Sequence, residues 1–165
     1  MTEAENPAPL RFDTHAGYRQ AISSILSQTQ NTLCILDTDL KESGLESPEN
    51  IALLQHIARI SFHRNTIRIL VRTTRHIEQH CPRLIRFLAY FNHRANLRIM
   101  PDDSPLPECI FFLADGRHLL KRPHYSLPHG LYWTNAPTTA AADIVQFDPL
   151  WVISQPGLQG TPLGL

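Results

Sequence analysis

The chain has 165 residues, 42% hydrophobic and 18% charged, and its fifteen basic and fifteen acidic side chains cancel to a formal net charge of zero. That length suits one domain with a real core, and no apolar run approaches the roughly eighteen residues that a membrane-spanning helix needs. The zero hides an asymmetry, because Arg59 to Arg98 holds nine arginines and one acid, Glu78, leaving that stretch at +8 and the rest at −8.

Such a stretch makes either a set of solvated, salt-bridged arginines or one basic face on a neutral molecule. Arginine's planar fork suits phosphate and carboxylate. The three cysteines, Cys34, Cys81 and Cys109, form no Cys-x-x-Cys pair, and no secretory apolar region is seen. A reduced, cytoplasmic protein is expected.

Residues 1–11 are polar and proline-broken and are expected to form a flexible N-terminal arm. Thr14 can cap a helix whose stripe is Tyr18, Ile22, Ile25 and Leu26. "TLCILD" (32–37) reads as a buried strand. Ser47 and Pro48 open a second helix, with Ile51, Leu54, Ile57 and Ala58 on its inner face. "TIRILV" (66–71) is another buried strand. Pro82 forces Cys81 out of helical geometry, so 75–80 is at most a short turn of helix, and a new helix runs from Pro82 to about Asn92. "NLRIM" (96–100) is a third strand.

Helices alternating with buried strands predict an α/β fold, a mixed and mostly parallel sheet flanked by helices on both faces. The style then changes. "CIFFLADGRHLL" places Asp115-Gly116 at a type I′ hairpin turn, "GLYW" (130–133) is a further strand, and "TTAAADIVQFDPLW" is a last helix interrupted by Pro149. The domain is expected to span 12–153, with a disordered tail over 154–165.

"RHIEQHC" (75–81) is close to a zinc-peptidase motif. Such motifs need the glutamate beside the first histidine. Here Glu78 falls about 200° around the helix from His76, so it cannot serve a metal held by His76 and His80. No second cluster has ligand spacing, and no metal or cofactor is expected.

In open α/β sheets ligands bind beyond the carboxyl ends of the strands. Those ends gather Asp37, Asp39, Arg72, His76 and His80. Arg83 joins them at the helix start beside Cys81-Pro82, a natural place for an anion. His124 and His129 come from the stiff later segment "LKRPHYSLPHG". These eight residues are the candidate anion-binding set, although strand ends and loops are polar in any case.

The segments "ILDTDL", "IRILV", "HIEQHCPRL", "FFLADG", "RPHYSLPHG" and "FDPLW", in that order over about residues 12–153, resemble phospholipase D-like domains. More closely, they resemble an uncharacterised bacterial family of single phospholipase D-like half-domains. Catalytic members of that superfamily carry His-x-Lys-x-x-x-x-Asp, in which the histidine attacks phosphorus and the lysine neutralises phosphate charge. With the aspartate placed on Asp115, the lysine position holds Ile110 and the histidine position Glu108. The resemblance therefore implies a degenerate motif with no catalytic residue in it. It also implies a homodimer, since active enzymes of the superfamily need two halves, and it hints at an acetyltransferase-like protein partner.

The resulting expectation is a non-catalytic phospholipase D-like module that binds a phosphate-bearing ligand or nucleic acid and no membrane. Two alternatives stand beside it: a protein-interaction or dimerisation module, and a phosphoric-ester hydrolase using non-standard histidines.

Overall fold

The computed structural model describes residues 8–103 and 108–158. The elements run β1 (Leu10–Phe12), α1 (His15–Gln28), β2 (Leu33–Leu36), α2 (Pro48–Ile60), β3 (Ile67–Val71), α3 (Arg75–His80), α4 (Pro82–Tyr90) and β4 (Ala95–Ile99). They continue through β5 (Ile110–Ala114), β6 (His118–Arg122), β7 (Gly130–Trp133) and α5 (Pro137–Ile153) to β8 (Gln155–Pro156). The expected caps are in place: Thr14 Oγ1 accepts from Gly17 N at 3.0 Å, and Ser47 Oγ accepts from Asn50 N at 3.2 Å.

One eight-stranded sheet carries the fold, in the order β1-β7-β6-β5-β2-β3-β4-β8. Among the described residues only β2·β3 and β3·β4 are parallel; the other five pairings are antiparallel. This corrects the mostly parallel sheet expected from the first half. Helical crossovers through α2 and through α3 and α4 return the chain to the same end of the sheet, so β2, β3 and β4 run together. After β4 the chain uses hairpins, which need no crossover, and β5 enters antiparallel beside β2.

Both faces are covered. Side chains alternate along β2: Leu33 and Ile35 join the larger core under α1, α2 and α4, while Cys34 and Leu36 join a smaller core under α5. The β5–β6 turn has Asp115 at φ 57° and Gly116 at φ 67°, the positive pair that a type I′ turn requires, closed by Arg117 N donating to Ala114 O at 3.0 Å.

Three details differ from the sequence reading. Leu10 and Arg11, expected in the arm, pair with β7, and Gln155 and Pro156, expected in the tail, pair with β4. The remainder of those two segments lies largely outside the described residues. Helix α5 passes through Pro149 unbroken. The proline removes the bond to the carbonyl four residues back, that of Val145, whose side chain is exposed, so the break falls on the watery side of the helix.

The arginine-rich stretch is not one basic face. Arg68 lies under α5, bonded to Asp148 Oδ1 at 3.0 Å and to Cys34 Sγ at 3.2 Å, 5.0 Å from the Phe147 ring centre. Arg98 donates to Trp151 O at 2.8 Å and lies 4.5 Å over its ring. Arg94 ties off α2 by donating to Ala58 O and Ser61 O. Much of the local +8 thus serves packing and caps.

Candidate functional site

Strands β2 and β3 end side by side, and the chain leaving each turns over the same end of the sheet. The loop after β2 is held by short-range bonds: Asp39 Oδ1 accepts from Lys41 N at 2.9 Å, and Leu40 takes a positive φ of 65°. The chain leaving β3 is pinned to that loop, with Arg72 N and Thr73 N both donating to Thr38 O, at 3.0 and 3.2 Å. Helix α3 follows at once. Asp39, Lys41, Thr73, Arg75, His76, Gln79 and His80 line the resulting open cleft of about 600 Å³.

Its lining mixes charges and donors, with Asp39 adding a carboxylate. Lys41 and Arg75 bring permanent positive charge, and Thr73, Gln79 and the two imidazoles bring donors. His76 and His80, one turn apart on α3, hold their rings 5.1 Å apart. Among the described residues no three His, Cys, Asp or Glu side chains converge as a metal-ligand group.

Of the eight residues expected at the rim, Asp39, His76 and His80 line this cleft and five do not. Asp37 is buried and faces inward; its Oδ1 accepts from Thr38 N at 2.5 Å and Asp39 N at 3.4 Å, and burial pushes its pKa up to about 6. Arg72 is half-buried and donates to Asp102 O at 3.4 Å. His124 turns back on its own loop, 2.6 Å from Ser126 Oγ. His129 is exposed on the same loop.

Arg83 shows why the helix-start site differs from expectation. The amides of Arg83 and Leu84 already bind an anion, the Glu46 carboxylate: Oε1 accepts at 2.6 Å from Arg83 and 3.1 Å from Leu84. The α4 N-terminus is capped from within the chain.

The positions that the sequence resemblance sets against the superfamily's catalytic motif lie as follows. Glu108 is exposed. Ile110 is 4% exposed and pairs across the sheet with Arg122. Asp115 bends back to accept from Gln30 N, Asn31 N and Thr32 N, at 3.0, 2.7 and 3.0 Å. Its role goes beyond the turn chemistry that Asp-Gly suggested, since it fastens the start of β2.

Arg122 is the residue that sequence reading missed. It lies in the polar "LKRPHYSLPHG" segment, yet it is 1% exposed, the bulkiest fully buried side chain among the described residues. Its guanidinium pairs with Glu42 Oε2 at 2.8 Å, donates to Leu127 O and Tyr125 O at 2.8 and 2.9 Å, and stacks 4.7 Å over Tyr18. Glu42 also meets His15 Nε2 at 3.3 Å. Burial first, then Asp37, raises the Tyr18 pKa well above the ordinary phenol value. None of the thiols is activated: burial raises Cys34 and Cys109, and raises Cys81 to about 11.

Solved structures with the same architecture share little sequence with this chain. TrmBL2, an archaeal chromatin protein whose structure shows a novel mode of DNA binding, superposes with a TM-score of 0.66 at 14% identity, covering 94% of this chain and 56% of its own. Nuc from Salmonella typhimurium, a phospholipase D family member, gives 0.65 at 9% identity, covering 90% of this chain and 98% of its own. Phosphatidylserine synthase from Haemophilus influenzae gives 0.55 at 15% identity, over 91% and 39%. This chain thus spans little more than half the length of TrmBL2 and nearly all of Nuc. The likenesses show a phospholipase D-like fold. No curated protein matches the chain. A family model described as Domain of unknown function (DUF7931) matches residues 14–159.

Proposed function

The chain belongs to that family of unknown function, and we propose that it is a non-catalytic phospholipase D-like module whose cleft holds a phosphate-bearing ligand, nucleic acid included. The observation that carries this reading is the convergence of Lys41, Arg75, His76 and His80 on one open cleft beyond the ends of β2 and β3. The non-catalytic half of the reading is supported by Ile110 at the lysine position and by Arg122, whose fork is spent on Glu42 and two carbonyls. The neighbours named above, a DNA-binding chromatin protein and a phospholipase D family member, are compatible with a phosphate partner. A homodimer and an acetyltransferase-like partner remain part of the proposal on the resemblance alone.

The test is a titration of inorganic phosphate and a dinucleotide at low salt, followed by the NMR signals of His76 and His80. Binding is expected to perturb both rings. Arg75→Ala and Lys41→Ala are each expected to weaken it about fivefold or more, as loss of one charge-assisted contact does. Absence of any perturbation at millimolar ligand would sink the reading, and hydrolysis of a phosphodiester that persists in purified protein would overturn its non-catalytic part.

A further inference from the structure

The cleft occupies one end of the sheet, and the opposite end is built differently. There α2 and α4 finish, and the loops leading into β3 and β4 begin. Phe62 is 98% exposed and Tyr90 is 73% exposed. A lone exposed aromatic is ordinary, but these two are joined by structure. Arg94 donates to Ser61 O, the carbonyl next to Phe62, and so ties the end of α2 to the end of α4. Tyr90 meets Phe91 edge-on at 4.8 Å, His93 stacks at 6.4 Å, and Arg59 lies 5.6 Å from the Phe91 ring centre. Arg59, His63, Arg64 and His93, from the same two helix ends and loops, are all exposed.

The two loops of this end, residues 61–66 and 91–94, carry no acidic residue. No acidic residue occurs between Glu49 and Glu78, or between Glu78 and Asp102. Topology brings Asp115 to this end at the β5–β6 turn, and its carboxylate is already bonded to three backbone amides. The negative end of α2 is neutralised by Arg94, which also binds Ala58 O. Open aromatic faces interleaved with arginines, on loops without carboxylates, are what successive bases and phosphates of a single strand require. A duplex hides its base faces, and an acidic peptide has no flat rings to match them.

We propose that Phe62, Tyr90, Arg59 and Arg64 form a docking surface for single-stranded nucleic acid, separate from the cleft and at the other end of the sheet. Bases stack on Phe62 and Tyr90, and backbone phosphates meet Arg59 and Arg64. This surface stands on its own geometry and does not require the cleft reading to be correct.

The experiment is fluorescence anisotropy with a labelled oligothymidylate of about a dozen nucleotides, against a duplex of the same length, polyglutamate and phosphatidylserine vesicles. The single strand is expected to bind most tightly. Phe62→Ala with Tyr90→Ala is expected to weaken it about tenfold or more, as loss of base stacking does. Arg64→Ala is expected to flatten the salt dependence by roughly one phosphate contact. These side chains are exposed, so the melting temperature should hold. As a readout free of variants, the wild-type His63 and His93 NMR signals should move on adding the oligonucleotide. Unchanged affinity in the aromatic double variant would overturn the proposal. So would preference for duplex, for polyglutamate (a protein partner) or for vesicles (a lipid surface). Loss of oligonucleotide binding in Arg75→Ala but not in the aromatic variant would move the strand to the cleft, ending this proposal while leaving the cleft reading intact.

Discussion

Asp37 shows how far one residue's surroundings reach beyond its place in the chain. As the first polar residue after an apolar strand it belongs at a rim, yet it is 6% exposed and its carboxyl is raised from 3.8 to about 6, burial being the main cause. Below about pH 4 the carboxyl is protonated in both folded and unfolded chains and contributes no pH dependence. As pH rises through the window to about 6, the unfolded chain releases its proton first and stability falls. Above that window the full cost is about 3 kcal/mol. Asp37→Asn keeps an acceptor for Thr38 and Asp39 and removes the charge. It is expected to be the more stable protein above pH 6, with the gap closing toward pH 4, when urea denaturation is followed across that range. A constant gap at every pH would show that the carboxyl is not the cause. Arg122 makes the matching point from the cationic side. Its identity was readable, and its pairing with Glu42 was not, because the two are brought together only by the β2 loop folding over the end of β6.

Among the elements, the helices and the early strands were legible because their apolar residues recur at the right period and their caps are local. Thr14, Ser47 and Pro48 mark helix starts within a few residues of the groups they serve. The cap of α4 is the exception, since Glu46 reaches it across 37 residues of sequence. Glu46→Ala should cost about 1–2 kcal/mol, in line with loss of a charged cap, and Glu46→Gln should recover part of it. Hydrogen exchange should show the protection of Arg83 and Leu84 falling first. If their protection is unchanged while stability drops elsewhere, the carboxylate is not acting as a cap. The same long reach explains why the helix-start anion site was misread: short-range pattern shows that a helix N-terminus wants an anion, not that the chain already supplies one.

Across the whole molecule, the sheet closes its β4 edge with β8, where Arg98 pairs with Pro156 and Ile99 with Gln155. Gly157 continues the contact, and a Cβ there would lie 2.8 Å from Leu97 and Ile99 side-chain carbons. A chain ending at Ser154 is expected to keep its fold but expose the β4 edge and self-associate. Light scattering at rising concentration should report larger species than the full chain gives, and identical profiles would show that β8 does not guard the edge. The sequence by itself determined the helices, the strands from β2 to β7, the order of apolar faces and the reach toward a phospholipase D-like architecture, because periodicity, caps and turn residues act over a few positions. Only the tertiary structure decided the antiparallel half of the sheet, which polar groups face solvent and which arginines are spent on packing. Those outcomes depend on contacts between residues far apart in the chain. Their partners, Glu46 for α4, Glu42 for Arg122 and Trp151 for Arg98, leave no periodic trace in sequence.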